Sequence, residues 1–284
     1  MIPLKDNVPT ARFPLVTVLL IAANLAVFVW QLTFSGNEYA TPELRQLGVS
    51  RSDENSVRFG AIPYRILHPG RDCAFGVTQR SGDAEADVVC QGTKQYAEAR
   101  TAARAGQPFQ SYANPFWLLT VFTSMFLHGG IFHIGFNMLF LWIFGNNVEE
   151  AMGRLRYLLF YLLAGIVALY TQALIDPSAT LPTIGASGAI AGVLGAYAVL
   201  FPRARVLTVV ILIFFFTLIE IPAFVMLGIW FALQFIPAIG QVAVPDVTGS
   251  GGVAYFAHVG GFIFGLALVK LFARRRPEPL LPAT

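Results

Sequence analysis

Six stretches of the chain are almost free of charge: Phe13 to Phe34, Trp117 to Val148, Tyr157 to Ile175, Ile184 to Phe201, Val206 to Ile239 and Val253 to Ala273. A helix rises about 1.5 Å per residue, so about 20 apolar residues cross about 30 Å of hydrocarbon. Most of these stretches are long enough singly. The fifth, at 34 residues, is too long for one ordinary span, and Glu220 and Pro222 interrupt it. That interruption predicts a non-spanning piece over Val206 to Leu218, followed by a span from about Ile221. The pattern therefore predicts an all-α membrane protein with six transmembrane helices. Its parts are a tail over residues 1–12, a first transmembrane helix over 13–34, a long outer loop over 35–115, a core of five further transmembrane helices over 116–276 and a second tail over 277–284.

Composition agrees with this class. The chain is 56% hydrophobic and only 12% charged, half the charged share of a soluble domain. Charge then sets the orientation. With the N-terminus inside, the inner segments carry Lys5 and Arg12, Arg154 and Arg156, Arg203 and Arg205, and Lys270 with Arg274, Arg275 and Arg276. The short outer loops, Asp176 to Pro182 and Gly240 to Gly252, have no Lys or Arg. This is the positive-inside pattern, with both termini cytoplasmic. The long loop carries nine basic and nine acidic residues, and loops of that length translocate largely regardless of charge. The net charge of +3 is thus an orientation signal, and no basic patch supports nucleic-acid binding.

The first apolar run follows Lys5 and Arg12 like a secretory signal, but it is too long for a signal core. Trp30-Gln31-Leu32 also lacks the small-x-small cleavage pattern, so the run reads as a retained span. Cys73 and Cys90 both fall in the long loop, where an oxidising compartment would permit a disulfide; two unpaired thiols are the alternative. The loop otherwise shows no clear period beyond a short helix near Gln95 to Ala105.

Three polar strings interrupt the apolar runs: His128-x4-His133-x3-Asn137, Gly185-x-Ser187-Gly188-x3-Gly192, and Ala257-His258-x2-Gly261-x3-Gly265. From Ser187 to Arg203, from His258 to Arg274 and from His133 to Glu149 the separation is 16 residues in each case. At 1.5 Å per residue, all three lie about 24 Å above the inner boundary, recessed from the outer edge of the hydrocarbon. A serine hydroxyl is a weak nucleophile that needs a base within hydrogen-bond reach, a role open to His258. No carboxylate lies within the apolar runs near this plane to orient the histidine, so a Ser-His dyad is the economical reading. His133 and Asn137 are four apart and share one helix face, from which both can donate to a developing oxyanion together with the backbone N–H of Ser187. His128 falls about 140° from His133 on an ideal helix and fits the entry turn with Gly129 and Gly130. Gly188-x3-Gly192 and Gly261-x3-Gly265 are faces on which membrane helices approach closely. Each of these features alone has a packing explanation; their shared depth is what favours a site.

These strings, in this order and on these spans, resemble the rhomboid family of intramembrane serine proteases over about Pro115 to Arg276. Phe140-Leu141-Trp142-Ile143-Phe144-Gly145-Asn146-Asn147-Val148-Glu149 is similar to the bacterial branch. The resemblance implies a six-helix rhomboid-like bundle in a bacterial inner membrane, with its active site opening to the outer side. It implies a serine-type endopeptidase without cofactor or metal, in which Ser187 is nucleophile, His258 is general base, and His133 and Asn137 help line the oxyanion hole. The substrates it implies are transmembrane proteins cut near their outer ends. Ala191 stands where some members carry a tyrosine stacked beneath the histidine, so support for His258 has to come from elsewhere. The first loop is longer than usual and lacks the Trp-Arg pair of some members.

Other readings fit less well. His128 and His133 lack the i, i+4 spacing of a helical zinc pair, and Ser187 and Asn137 are poor ligands beside them. No inverted repeat or pair of broken helices suggests a transporter. A catalytically inactive rhomboid-like protein that binds transmembrane clients is the serious alternative, but such a protein is expected to lose the serine or the histidine. Glu220 reads as an interfacial residue near Arg203 or Arg205, His68 as solvated, and Trp142 and Trp230 as lipid-facing or packing residues.

Overall fold

Backbone polar groups have no water to bond in hydrocarbon, so long apolar runs become helices. The computed structural model describes residues 1–34, 41–46, 48–80, 83–112, 116–212, 215–243 and 253–274. In chain order the elements are β1 (Ile2–Asp6), α1 (Leu15–Leu32), α2 (Pro42–Gln46), α3 (Arg51–Phe59), α4 (Pro63–Leu67), β2 (Cys73–Arg80), β3 (Asp83–Cys90) and α5 (Lys94–Arg104). There follow β4 (Phe109–Tyr112), α6 (Thr120–Thr123), α7 (Ile131–Met152), α8 (Arg154–Ile175), α9 (Ser187–Leu200), β5 (Arg205–Leu212), β6 (Phe215–Pro222), α10 (Ala223–Ala243) and α11 (Tyr255–Phe272). Among the described residues, five helices are long and apolar enough to cross a membrane: α1, α7, α8, the Ala223–Gly240 part of α10, and α11. The chain is an integral, multi-pass membrane protein.

It divides into two units. One comprises residues 1–25, 128–171 and 186–284, the other 26–127 and 172–185.

The first unit centres on α9, a helix of 14 residues whose run from Gly188 to Tyr197 is wholly buried. At 1.5 Å per residue α9 is about 21 Å long, short of the bilayer core. A helix surrounded by other helices has no need to match the lipid thickness, which is why the 18-residue apolar run Ile184 to Phe201 yields a shorter helix. The opening sequence Ile2–Asp6 and the hairpin Arg205–Pro222 form a three-stranded antiparallel sheet in the order β1-β5-β6. The non-spanning reading of Val206 to Leu218 agrees with this hairpin, and α10 starts at Ala223, close to the expected Ile221. The all-α expectation needs correction here. Val206, Thr208, Val209, Val210 and Ile211 are β-branched and stiff at the first side-chain torsion, which favours a strand once a partner strand is present. Glu220 pairs with Arg205 across the hairpin at 3.6 Å, in line with its interfacial reading.

Polar contacts gather at the end of this unit that carries the sheet. The buried carboxylate of Glu149 accepts hydrogen bonds from the backbone N–H of Val16 (3.0 Å) and Thr17 (2.8 Å) and from Thr17 Oγ1 (2.8 Å). These are first-turn donors of α1 that no intrahelical acceptor can reach, so α7 supplies the N-terminal cap and negative charge that α1 lacks in its own sequence. Asp6 Oδ2 accepts from Asn147 Nδ2 of α7 and from the Tyr197 hydroxyl of α9, both at 2.5 Å.

The second unit holds the folded part of the long loop. Here too the all-α expectation fails, because β2 pairs antiparallel with β3 and with β4 in a sheet of order β3-β2-β4. Cys73 and Cys90 face each other at one end of the β2–β3 register and are joined by a disulfide. Val57, Ile62, Tyr64, Phe75 and Val88 pack with them on one face. On the other face α5, within a residue of the expected Gln95 to Ala105, sets Ala99 against Ala74 and Val89. Gly76 admits that approach: a Cβ there would press on the Ala99 methyl. Arg65 is buried and donates to the carbonyls of Val57 (3.4 Å) and Gly60 (3.2 Å) at the C-terminal end of α3. Burial pushes its guanidinium down to about 10, offset in part by Asp72. His68 is exposed, with its ring stacked on Tyr64 at 4.2 Å.

Burial pushes the Asp6 carboxyl up from 3.8 to about 6, outweighing the hydrogen bond from Tyr197 that pulls it down. The native protein therefore holds this proton more tightly than the unfolded chain. The contribution to stability is complete below 3.8 and is lost as pH rises through about 6. Between those values the thermal midpoint of the wild type is expected to fall relative to that of Asp6→Asn. Parallel pH curves for the two proteins would contradict this linkage.

Candidate active site

Ser187 is the first residue of α9, and no side chain caps that helix end. The first intrahelical bond runs from Ile190 N–H to the Ala186 carbonyl, so the N–H groups of Ser187 and Gly188 lie at the positive end of the helix without an acceptor from its own turns. Two residues earlier Gly185 adopts φ 122°, a conformation that side-chain-bearing residues rarely take. His258 lies in the first turn of α11. Its Nε2 is 2.7 Å from Ser187 Oγ, so the two residues singled out on chemical grounds are in direct hydrogen-bond contact across 71 positions of sequence.

Glycine makes that contact possible. A Cβ on Gly261 would overlap the carbonyl oxygen of Gly188, and one on Gly265 would overlap that of Gly192. The two small-x3-small faces read from the sequence therefore lie against each other, directly below the Ser187–His258 pair. The seam is longer than those motifs indicate, since a Cβ on Gly195 would strike the Phe262 carbonyl. On the α8 side, Ala168 and Ala164 crowd Gly188 and Gly192, and Thr171 crowds Gly260.

His133 and Asn137 both lie near the start of α7, as their spacing suggests. His133 Nδ1 accepts a hydrogen bond from the Gly129 N–H at 3.4 Å, which leaves the ring proton on Nε2. Asn137 is only 7% exposed, and its Nδ2 is a buried donor with no hydrogen-bond partner among the described residues. Buried amide donors are ordinarily paired, which sets this one apart. His128 is buried in the turn before α7, with its ring 5.0 Å from that of His133 and nearly edge-on to it. No hydrogen bond links His133 or Asn137 to Ser187 or His258 among the described residues.

The support of His258 was not evident from the sequence. Gln234, on α10, places Oε1 2.8 Å from His258 Nδ1. Trp230, one turn earlier, sets its indole 6.2 Å from the imidazole at 40°, and Tyr255 meets the ring edge-on at 6.5 Å. Trp230 is thus a packing residue, as read, with the imidazole among its neighbours; Trp142 is 52% exposed, as a lipid-facing residue would be. The spacing of Gln234 to Trp230, four residues on one helix face, is the one signal that could have pointed to the pair. Nothing in it pointed to His258.

With a hydroxyl on an imidazole, that imidazole on an amide, and uncommitted N–H donors at a helix start, the arrangement is equipped for acyl transfer.

Comparison with known proteins bears on the same region. The family described as the rhomboid domain matches residues 115–275. Rhomboid protein 1, mitochondrial, of Saccharomyces cerevisiae is 32% identical over 152 residues, 52% of this chain and 40% of its own. Rhomboid protease GluP of Bacillus subtilis is 47% identical over 74 residues, 26% of this chain and 14% of its own. The human presenilin-associated rhomboid-like protein, mitochondrial, is 29% identical over 164 residues, 56% of this chain and 40% of its own. The matches thus span less than half the length of each of these relatives.

Gly261→Ala is expected to force α9 and α11 apart, at a cost of about 1–3 kcal/mol. Modification of Ser187 by a fluorophosphonate probe should slow at least tenfold, about 1.4 kcal/mol in barrier, and the thermal midpoint should fall. Gly135→Ala on α7, where a Cβ meets nothing within 4 Å, is the control and should change neither. Equal behaviour of the two variants would refute the role of the seam.

Proposed function

This chain belongs to the rhomboid family, and on that premise we propose that it is an intramembrane serine endopeptidase working through a Ser187–His258 dyad. The observation that carries the reading is the 2.7 Å contact between Ser187 Oγ and His258 Nε2. In the reaction, His258 Nε2 takes the hydroxyl proton while Oγ attacks the scissile carbonyl carbon. The resulting oxyanion is held by the backbone N–H of Ser187, by Asn137 Nδ2 and by the Nε2–H of His133. Collapse of the tetrahedral species breaks the C–N bond, and the imidazolium of His258 returns its proton to the departing amine. Water, activated by the same imidazole, then attacks the Ser187 ester and frees the enzyme. The substrates are transmembrane proteins, unwound and cut near the outer face of the bilayer.

A six-span topology supports this reading. β1 pairs with β5, so residues 2–6 and 206–209 lie on the same side of the membrane. An even number of crossings must separate them, and α1, α7 and α8 supply three. We take the short helix α9 as the fourth, which with α10 and α11 supports a count of six. The Arg274 N–H bonds the Ala151 carbonyl, which sets the far end of α11 beside the end of α7. With the positive-inside pattern, the tails of residues 1–12 and 277–284 are cytoplasmic and the serine lies toward the outer side, consistent with a bacterial inner membrane.

Purified protein reconstituted with a fluorescent transmembrane substrate tests the proposal. Ser187→Ala and His258→Ala are each expected to abolish cleavage. Asn137→Ala should lower kcat by about 100- to 1,000-fold, the range for loss of one oxyanion donor, with KM little altered. Cleavage that persists in both dyad variants would exclude the mechanism.

A further inference from the structure

The geometry points to Gln234 as a positioning residue that fixes the proton of His258 on Nδ1 and so keeps Nε2 bare to receive the proton of Ser187. This rests on the dyad reading and deepens it.

A neutral imidazole carries one proton on one of two nitrogens, and only the bare nitrogen can act as a base. In water the choice is nearly open. In this site Gln234 Oε1 lies 2.8 Å from Nδ1, and a carbonyl oxygen has lone pairs but no proton. The bond therefore forms only when Nδ1 carries the hydrogen. Nε2, 2.7 Å from Ser187 Oγ, is then the acceptor, and the hydroxyl donates to it. Both contacts are satisfied in one protonation state, the one that serves a general base. The opposite tautomer would place the Nε2 proton against the serine hydroxyl and leave Nδ1 and Oε1 as two acceptors face to face.

Gln234 thus performs two of the three tasks that a carboxylate performs in a serine triad, namely orientation of the ring and choice of tautomer. The third, stabilisation of the imidazolium by charge, it leaves undone. Within a bilayer this division has a physical reason: a carboxylate among apolar helices is expensive to keep ionised, whereas an amide carries no charge to desolvate. Trp230 extends the support. It lies one turn before Gln234 on α10, and its indole faces both His258 (6.2 Å) and Phe262 (5.8 Å), filling space beside the imidazole. Ala191 has only a methyl group to offer, and the contacts to the imidazole come from Gln234 and Trp230 of α10.

The test uses the full chain in lipid nanodiscs, with the transmembrane substrate and with nitrogen-15 labelling of its four histidines. In the wild type, the His258 signal, assigned by its loss in His258→Ala, should show the proton on Nδ1. In Gln234→Leu the tautomers should mix, and kcat should fall about 10- to 100-fold, the scale for loss of an orienting partner to an imidazole. KM should stay within about twofold, and fluorophosphonate modification of Ser187 should slow by the same factor as kcat. Gln234→Glu, which keeps an acceptor at Nδ1, should recover most of the loss. The inference is overturned by a wild-type proton on Nε2, by an unchanged kcat in Gln234→Leu, or by a loss confined to KM or thermal midpoint that Gln234→Glu does not relieve. If Gln234→Leu does not fold, the wild-type spectrum decides. Ser187→Ala and His258→Ala in the same assay separate the two levels: cleavage persisting in them removes the dyad itself, whereas a failed Gln234 result leaves it standing.

Discussion

Carbonyl oxygens of α9 lie where side chains of α11 would otherwise be, and this approach of two backbones sets the rest of the first unit. Between transmembrane helices the hydrophobic effect gives little drive, since lipid tails are as apolar as the partner helix. Association has to come from close packing and from polar contacts. Gly188, Gly192 and Gly195 on one side and Gly261 and Gly265 on the other bring the helices to a separation at which Ser187 and His258 share a hydrogen bond. α8 meets the seam with the small side chains of Ala164, Ala168 and Thr171, and α10 brings larger polar and aromatic groups to the edge of the imidazole. A single methyl in the seam would therefore be felt at the serine.

At the opposite end the logic reverses, and polar groups replace small ones. Glu149 caps a helix whose Val16 lies 133 residues before it, and Asp6 ties the first strand to α7 and α9 through Asn147 and Tyr197. Hydrogen bonds are worth about 0.5–1.5 kcal/mol each, so such clusters hold helix ends that apolar contact alone would leave free to slide. The unit is thus close-packed by backbone around Ser187 and His258 and pinned by polar contacts at its far end.

Much of this was legible in the sequence because it rests on short-range pattern. Apolar length gave the helices, and the interruption at Glu220 and Pro222 set Val206 to Leu218 apart from the helix that follows. Helical spacing put His133 with Asn137 and aligned the two glycine faces, and a count of residues to the inner boundary put Ser187 level with His258. What stayed hidden depends on pairing between distant segments. Gln234 sits 24 residues before His258 on another helix, and no periodicity links an amide on one helix to a ring on the next. Strand β1, at five residues, is too short to show alternation, and it becomes a strand only because β5 offers a partner. In the long loop, Cys73 and Cys90 were visible as a candidate pair, but the sheet between them interleaves Ala74, Gly76 and Thr78 with larger residues, too weak a contrast to read as a strand. Glu149 served as a depth marker, and its capping of α1 follows from packing alone.

The register of the first strand also dictates an order of events during synthesis. Ile2 and Pro3 are made some 200 residues before their partners Val209 and Thr208. Until then the opening strand has no neighbour to zip onto, and the first-turn donors of α1 wait likewise for Glu149. A segment made early is thus among the last to be fastened. Its clasp closes only on a chain that already contains the whole of α9, Ser187 included.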